Sequence, residues 1–116
     1  MSQARQGEVY RAILSPRIGF RTDAQAADQL VVVVQGDALN SALETVLVLP
    51  LRSARDGASP IDVVVPAAEL TTSSDHVTMV HLMRPLALSS LAPGHVARLS
   101  RPTLARVLAA VHRAFH

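Results

Sequence analysis

A chain of 116 residues suits one domain with one core, and residues 1–116 are expected to fold as a single unit. Apolar residues make up 49% of it, but only Tyr10, Phe20 and Phe115 are aromatic, so the core must be built from Val, Leu and Ala; the absence of cysteine excludes disulfides and thiolate metal sites. No apolar run approaches bilayer length, and the opening "MSQARQGE" lacks the apolar stretch of a signal peptide, so a cytoplasmic protein without a membrane segment is expected.

The net charge of +2 conceals an uneven distribution. The strong bases are all arginine, which has a bland reading in genome composition. Asp75 is the last acidic residue, and beyond it come Arg84, Arg98, Arg101, Arg106, Arg113 and all five histidines. Such a segment suits an anionic partner, nucleic acid or acidic peptide, about as well as it suits a solvated basic helix face.

In chain order, "GEVYRAIL" (7–14) reads as a strand, with Val9, Arg11 and Ile13 on one face and Tyr10, Ala12 and Leu14 on the other. Ser15-Pro16 ends it, because proline cannot extend a ladder. Residues 15–28 form a long polar loop. "QLVVVVQ" (29–35) is a β-branched run too short for a helix, expected as a central strand buried on both faces. "GDALNSALE" is a turn, or one short helical turn, with Asp37 and Asn40 holding it together. "TVLVLPL" (45–51) is a strand, and "RSARDGASP" a polar loop punctuated by Gly57 and Pro60. "IDVVVP" (61–66) is a strand and "AAELTTSSD" a loop, with Asp56 and Asp62 as turn formers. "HVTMVHLM" and "RPLALS" read as one strand, or two with a bend near Pro85, and "GHVARL" (94–99) as the last.

The C-terminus predicts a helix. Ser100 is a good N-cap and Pro102 falls in the first turn, where a missing N–H costs nothing. Leu104, Val107, Leu108, Val111 and Phe115 form one apolar stripe. Many short strands followed by a helix imply a mainly β (α+β) fold, a small curved sheet or partly open barrel closed by that helix.

The order of these features resembles the MazF/PemK (Kid) toxins. "QGEVYRAILSP…G" is similar to their opening, "VVVVQGDALN…TVLVLPLRS" to their second and third strands, and "LSRPTLARVLAAVHRAF" to their final helix. The likeness runs from Gly7 to Phe115. It implies an SH3-like small β-barrel of the CcdB/PemK type with a C-terminal α-helix. It further implies a homodimeric toxin of a type II toxin–antitoxin system that cleaves single-stranded RNA at short sequences, without metal or other cofactor. The implied partner is a cognate antitoxin whose acidic, flexible tail covers the RNA groove.

Metal-free RNA cleavage uses the substrate's 2′-hydroxyl as nucleophile. The protein must help remove its proton, stabilise charge on the phosphate and protonate the leaving 5′-oxygen. Arginine suits the phosphate, because its fork donates two hydrogen bonds to neighbouring oxygens. The family's arginine precedes a proline, and a Thr or Ser after the third strand faces it. Here the Arg-Pro position falls on Gln29-Leu30, and the Thr position on Arg52, with Ser53 next. The preceding loop is about three residues longer than usual, with Phe20, Arg21 and Thr22 where a Glu-Gln pair is expected. Further on, Arg84 is kept, while His81 and Leu82 replace an acid and a glutamine.

Three readings follow. In the first the site is rebuilt: Arg52 and Ser53 stand at the hydroxyl position, Arg21 swings in as phosphate clamp, and His81 supplies acid/base capacity. Gln29 occupies the lost arginine's place, and Arg17, Thr22, His81 and Arg84 contact RNA. In the second the fold is kept as an attenuated binding module, because a neutral amide cannot match a cation at a developing dianion. In the third the chain is a CcdB-like gyrase poison, a reading weakened if Phe115 belongs to the core stripe. No metal site is expected, since His112 and His116 alone share a helical spacing.

Overall fold

The computed structural model describes residues 4–12, 29–57 and 59–115, with Asp56 described by its backbone alone. Ile13, Leu14 and the 15–28 segment, with Arg17, Arg21 and Thr22, lie outside the described residues. Among the described residues seven strands form a curled antiparallel sheet: β1 (Glu8–Ala12), β2 (Gln29–Val33), β3 (Thr45–Ser53), β4 (Val64–Val65), β5 (His76–Thr78), β6 (Arg84–Ala87) and β7 (Ala97–Arg98). Three α-helices accompany them among the same residues: α1 (Asp37–Asn40), α2 (Ala67–Leu70) and α3 (Arg101–Phe115).

The long strand β3 organises the sheet. One edge pairs with β2 through Val48–Pro50. The other is shared: β6 takes Thr45–Val48 and β5 takes Leu51–Ser53. The chain passes from β5 to β6 through a 3-10 turn at Val80–Leu82, so the break falls before Arg84 and not at Pro85. β1 joins the far edge of β2, and β7 joins β1. This curled half-barrel with its C-terminal helix is the mainly β architecture that the sequence implied.

The valine run explains itself by period-2 alternation. Val32 and Val34 enter one core cluster with Val9, Leu49, Leu51, Val80 and the helix residues Val107 and Ala110. Val31 and Val33 enter a second cluster with Tyr10, Ala12, Val46, Val48 and Leu86. β2 is thus buried on both faces, as expected of so unbroken a run.

Helix α3 is fixed at its start. Ser100 Oγ accepts from the Thr103 amide at 3.4 Å. The carboxylate of Glu69, on α2, accepts from the Ser100 amide at 2.8 Å and from Thr103 Oγ1 at 2.6 Å. Gly7 lets the helix approach β1: its φ is +92°, and a Cβ there would meet Leu104 Cδ2 at 3.1 Å. The apolar stripe of α3 runs through Leu104, Val107, Leu108 and Val111 but stops short of Phe115, which is 56% exposed. The expectation that Phe115 belongs to the core is therefore corrected; the last helical turn, His112 to Phe115, is exposed.

Other boundaries moved. Arg52 and Ser53, expected in a loop, are the last residues of β3, because β5 extends the pairing that far. The 61–66 strand shrinks to two residues, and the "AAELTTSSD" loop contains α2. The 94–99 strand is likewise reduced to β7. Asp37 and Asn40 do hold their turn: Asn40 Nδ2 donates to the Gln35 carbonyl at 2.9 Å, and Gln35 Nε2 donates to Asn40 Oδ1 at 2.9 Å.

Candidate functional site

The end of β1, the start of β2, the end of β3 and the start of β5 converge at one corner of the sheet. A cavity of about 340 Å³ opens there, lined by Arg11, Gln29, Arg52, Ser53, Thr71, Thr72 and His76 over an apolar floor that includes Leu30, Leu51 and Leu70. The strand register explains the grouping. Ala12 faces Gln29 across β1–β2, Arg11 faces Leu30, and Ser53 faces His76 across β3–β5.

The polar groups are individually oriented. Asp62, whose side chain is fully buried, lies 3.9 Å from Arg52 Nη2. Asp62 is itself held by the Ser59 amide at 3.2 Å and the Val80 amide at 3.4 Å. The turn former thus also backs Arg52. His76 Nδ1 lies 3.1 Å from the Ser74 carbonyl. A carbonyl can only accept, so this contact puts the proton on Nδ1 and leaves Nε2 with a lone pair in the neutral ring. Gln29 Nε2 donates to the Leu51 and Leu30 carbonyls, which fixes its nitrogen toward the backbone. Thr71 adopts the left-handed region (φ 55°, ψ 38°), a costly conformation for a β-branched residue. Its hydroxyl donates to the Leu70 carbonyl, and that of Thr72 to the Ser74 carbonyl at 2.8 Å.

Of the residues singled out from the sequence, Gln29, Arg52 and Ser53 meet in this cavity. His81 and Arg84 do not line it. His81 is exposed on the 3-10 turn after β5, and Arg84 is half-buried opposite Val48, its Nη1 buried and without a hydrogen-bond partner among the described residues. Arg17, Arg21 and Thr22 lie outside the described residues. Sequence reasoning missed Arg11, Thr71, Thr72 and His76. For Arg11 the signal was a second charged residue, three on from Glu8, in a short strand. For His76 it was a strand-opening histidine, whose partner Ser53 only the register reveals. Among the described residues no cluster of three or more His, Asp and Glu side chains is placed to hold a metal ion.

Residues 5–115 match the family model for the PemK-like, MazF-like toxin of type II toxin–antitoxin systems. The chain belongs to that family. Its fold is similar to that of MazF from Deinococcus radiodurans, at 20% identity and a TM-score of 0.77, over 98% of this chain and 97% of that one. It is also similar to an endoribonuclease in complex with its cognate antitoxin from a mycobacterial species, at 17% identity and a TM-score of 0.74, over 98% and 94%. The Mycobacterium tuberculosis toxin MazF-mt6 is a third, at 14% identity and a TM-score of 0.72, over 93% and 95%. At these identities the likeness speaks to the fold. No curated protein gives a significant sequence match. No helix among the described residues is long and apolar enough to cross a membrane.

Proposed function

We propose that this MazF-like toxin is a metal-independent endoribonuclease acting on single-stranded RNA in the cytoplasm. The observation that carries the reading is the convergence of Arg52, Ser53 and His76 in one cavity, with Arg11 in the same lining. Arg52, backed by Asp62, donates to the non-bridging oxygens of the scissile phosphate, and Arg11 adds a second cation. His76 Nε2 takes the proton from the 2′-hydroxyl as the 2′-oxygen bonds to phosphorus. The P–O5′ bond breaks, and the imidazolium returns the proton to the departing 5′-oxygen. The products are a 2′,3′-cyclic phosphate and a 5′-hydroxyl. Ser53 supplies a hydroxyl beside the phosphate. Arg17, Arg21 and Thr22 are expected to extend the RNA contact.

Gln29 supports a second reading, a binding module with little turnover, because its amide nitrogen is spent on backbone carbonyls where the family motif has a cation. In either case the working form is a homodimer held in check by an antitoxin with an acidic tail. MazF of Deinococcus radiodurans, similar in fold, has been solved with MazE. Incubating the purified chain with a long single-stranded RNA in EDTA, and mapping the ends, separates the readings. Discrete cuts bearing 2′,3′-cyclic phosphates are expected. RNA binding without cuts, even at high protein, would leave the binding module.

A further inference from the structure

The cavity's polar lining divides into two kinds of group. Arg11 and Arg52 bring positive charge to it. Gln29, Thr71 and Thr72 are neutral, and their hydrogens are committed to the backbone. The Gln29 amide nitrogen donates to both Leu30 and Leu51 carbonyls, the Thr71 hydroxyl to Leu70, and the Thr72 hydroxyl to Ser74. What these three side chains retain for a ligand is lone pairs: the Gln29 Oε1 and two hydroxyl oxygens. They line one cavity with the cations. Thr71 is held there in a left-handed conformation that glycine would adopt at lower cost, and strain of this kind gathers where a side chain is needed in place.

We propose that this acceptor wall is a base-reading subsite that selects nucleobases whose amino group sits at pyrimidine C4 or purine C6, cytosine and adenine, over uracil. The inference rests on the reading that RNA enters this cavity. Cytosine presents N4–H₂ and adenine N6–H₂, which the oxygens of Gln29, Thr71 and Thr72 accept. Uracil presents O4 at the corresponding edge, so oxygen would face oxygen and both lone pairs would lose water without gaining a proton. Single strands are read on such edges once their bases leave the stack. The cations then take the adjoining phosphate. In an open cavity each hydrogen bond contributes modestly, so a preference of about tenfold is expected.

The test compares two pyrimidine strands that differ in the amino group. Fluorescence anisotropy measures binding of the full chain to 2′-O-methyl oligo(C) and oligo(U), which cannot be cleaved through the 2′-oxygen. The wild type is expected to bind oligo(C) about tenfold more tightly. The double variant Thr71→Val/Thr72→Val, which keeps only the Gln29 oxygen, should lower the ratio to about twofold while oligo(U) binding is kept. Should that variant unfold, Thr72→Val and Thr72→Ser carry the comparison: the ratio falls in the first and holds in the second. Equal or tighter binding of oligo(U) by the wild type, no binding of either strand, or a ratio unmoved by loss of the hydroxyls would overturn the proposal. Cleavage is scored separately. A chain that cuts RNA without this preference loses the base-reading subsite and keeps the nuclease; one that shows the preference and does not cut loses the nuclease and keeps the subsite.

Discussion

Two polar networks touch β1, and they are built in opposite ways. Glu8 is buried, and its carboxylate is saturated: Oε1 accepts from the Arg5 amide and the Tyr10 hydroxyl, each at 2.8 Å, while Oε2 meets Arg98 at 2.9 Å and His95 Nδ1 at 3.3 Å. This network closes on itself and pins β7 and the segment before it to β1. Three residues on, Arg11 belongs to the cavity, where cations, an imidazole and committed hydroxyls surround open space. A buried charge must be satisfied to be tolerated, so the first network is a stability device. The second lines an open cavity, and its orientation comes from behind: Asp62 for Arg52, Ser74 for His76, Leu51 for Gln29.

Variants at the two sites should therefore separate activity from stability. Arg52→Ala has the largest expected effect: RNA cleavage falls by about two orders of magnitude or more in single-turnover assays, while the thermal midpoint changes little. Glu8→Ala should do the reverse. It strips the Tyr10 hydroxyl and the Arg98 guanidinium of their acceptor and should cost on the order of 2 kcal/mol in urea unfolding, with cleavage by the folded fraction retained. Asp62→Asn lies between the two. Arg52 would keep its charge and lose its orienting partner, so cleavage should drop by about tenfold, with a gentler salt dependence of unfolding.

The closed network also has a pH signature. Burial and the adjacent Glu8 carboxylate push the Tyr10 phenol up to about 12. A raised value means that the native state favours the protonated phenol. Its contribution is whole below the ordinary phenol value near 10 and is lost as pH rises toward 12. Tyr10 is the one tyrosine and there is no tryptophan, so absorbance titration reads it cleanly. Its midpoint should lie near 12 and fall in Glu8→Gln. On the acid side, burial alone would raise the Glu8 carboxyl, but the hydrogen bonds from Tyr10, the Arg5 amide and Arg98 outweigh it and hold it low. That stability is present above the ordinary carboxylate range and lost as pH falls through it. The smallest effect belongs to Phe115→Ser, which should move stability by no more than about 0.5 kcal/mol, because the ring is exposed.

Much of the fold was legible because periodicity reports burial. The valine run, the helix cap at Ser100 and the family-like order of strands all translate local pattern into position. The candidate site was legible only where a motif position could be counted, as at Gln29, Arg52 and Ser53. His76 and Arg11 were not, because they join the cavity through register: Ser53 opposite His76, Arg11 opposite Leu30. A one-residue slip would turn each to the other face, and no local signal fixes that. His81 drew notice by its alignment and sits on a turn, because the chain leaves β3's edge at Val80–Leu82 to pass between β5 and β6. Phe115 had the right helical phase, but the last turn of the helix is exposed.

RNA bound at the end of β3 should occupy the cavity and leave the Glu8 network untouched. Titrating the labelled chain with a 2′-O-methyl single strand, and following backbone amide shifts by NMR, tests it directly. The largest perturbations are expected at Leu51–Ser53, Leu70–Thr72 and His76, with Glu8, Tyr10 and Arg98 nearly still. Shifts centred on α3 or on the Glu8 network, with the cavity residues unmoved, would rule out the cavity as the RNA site.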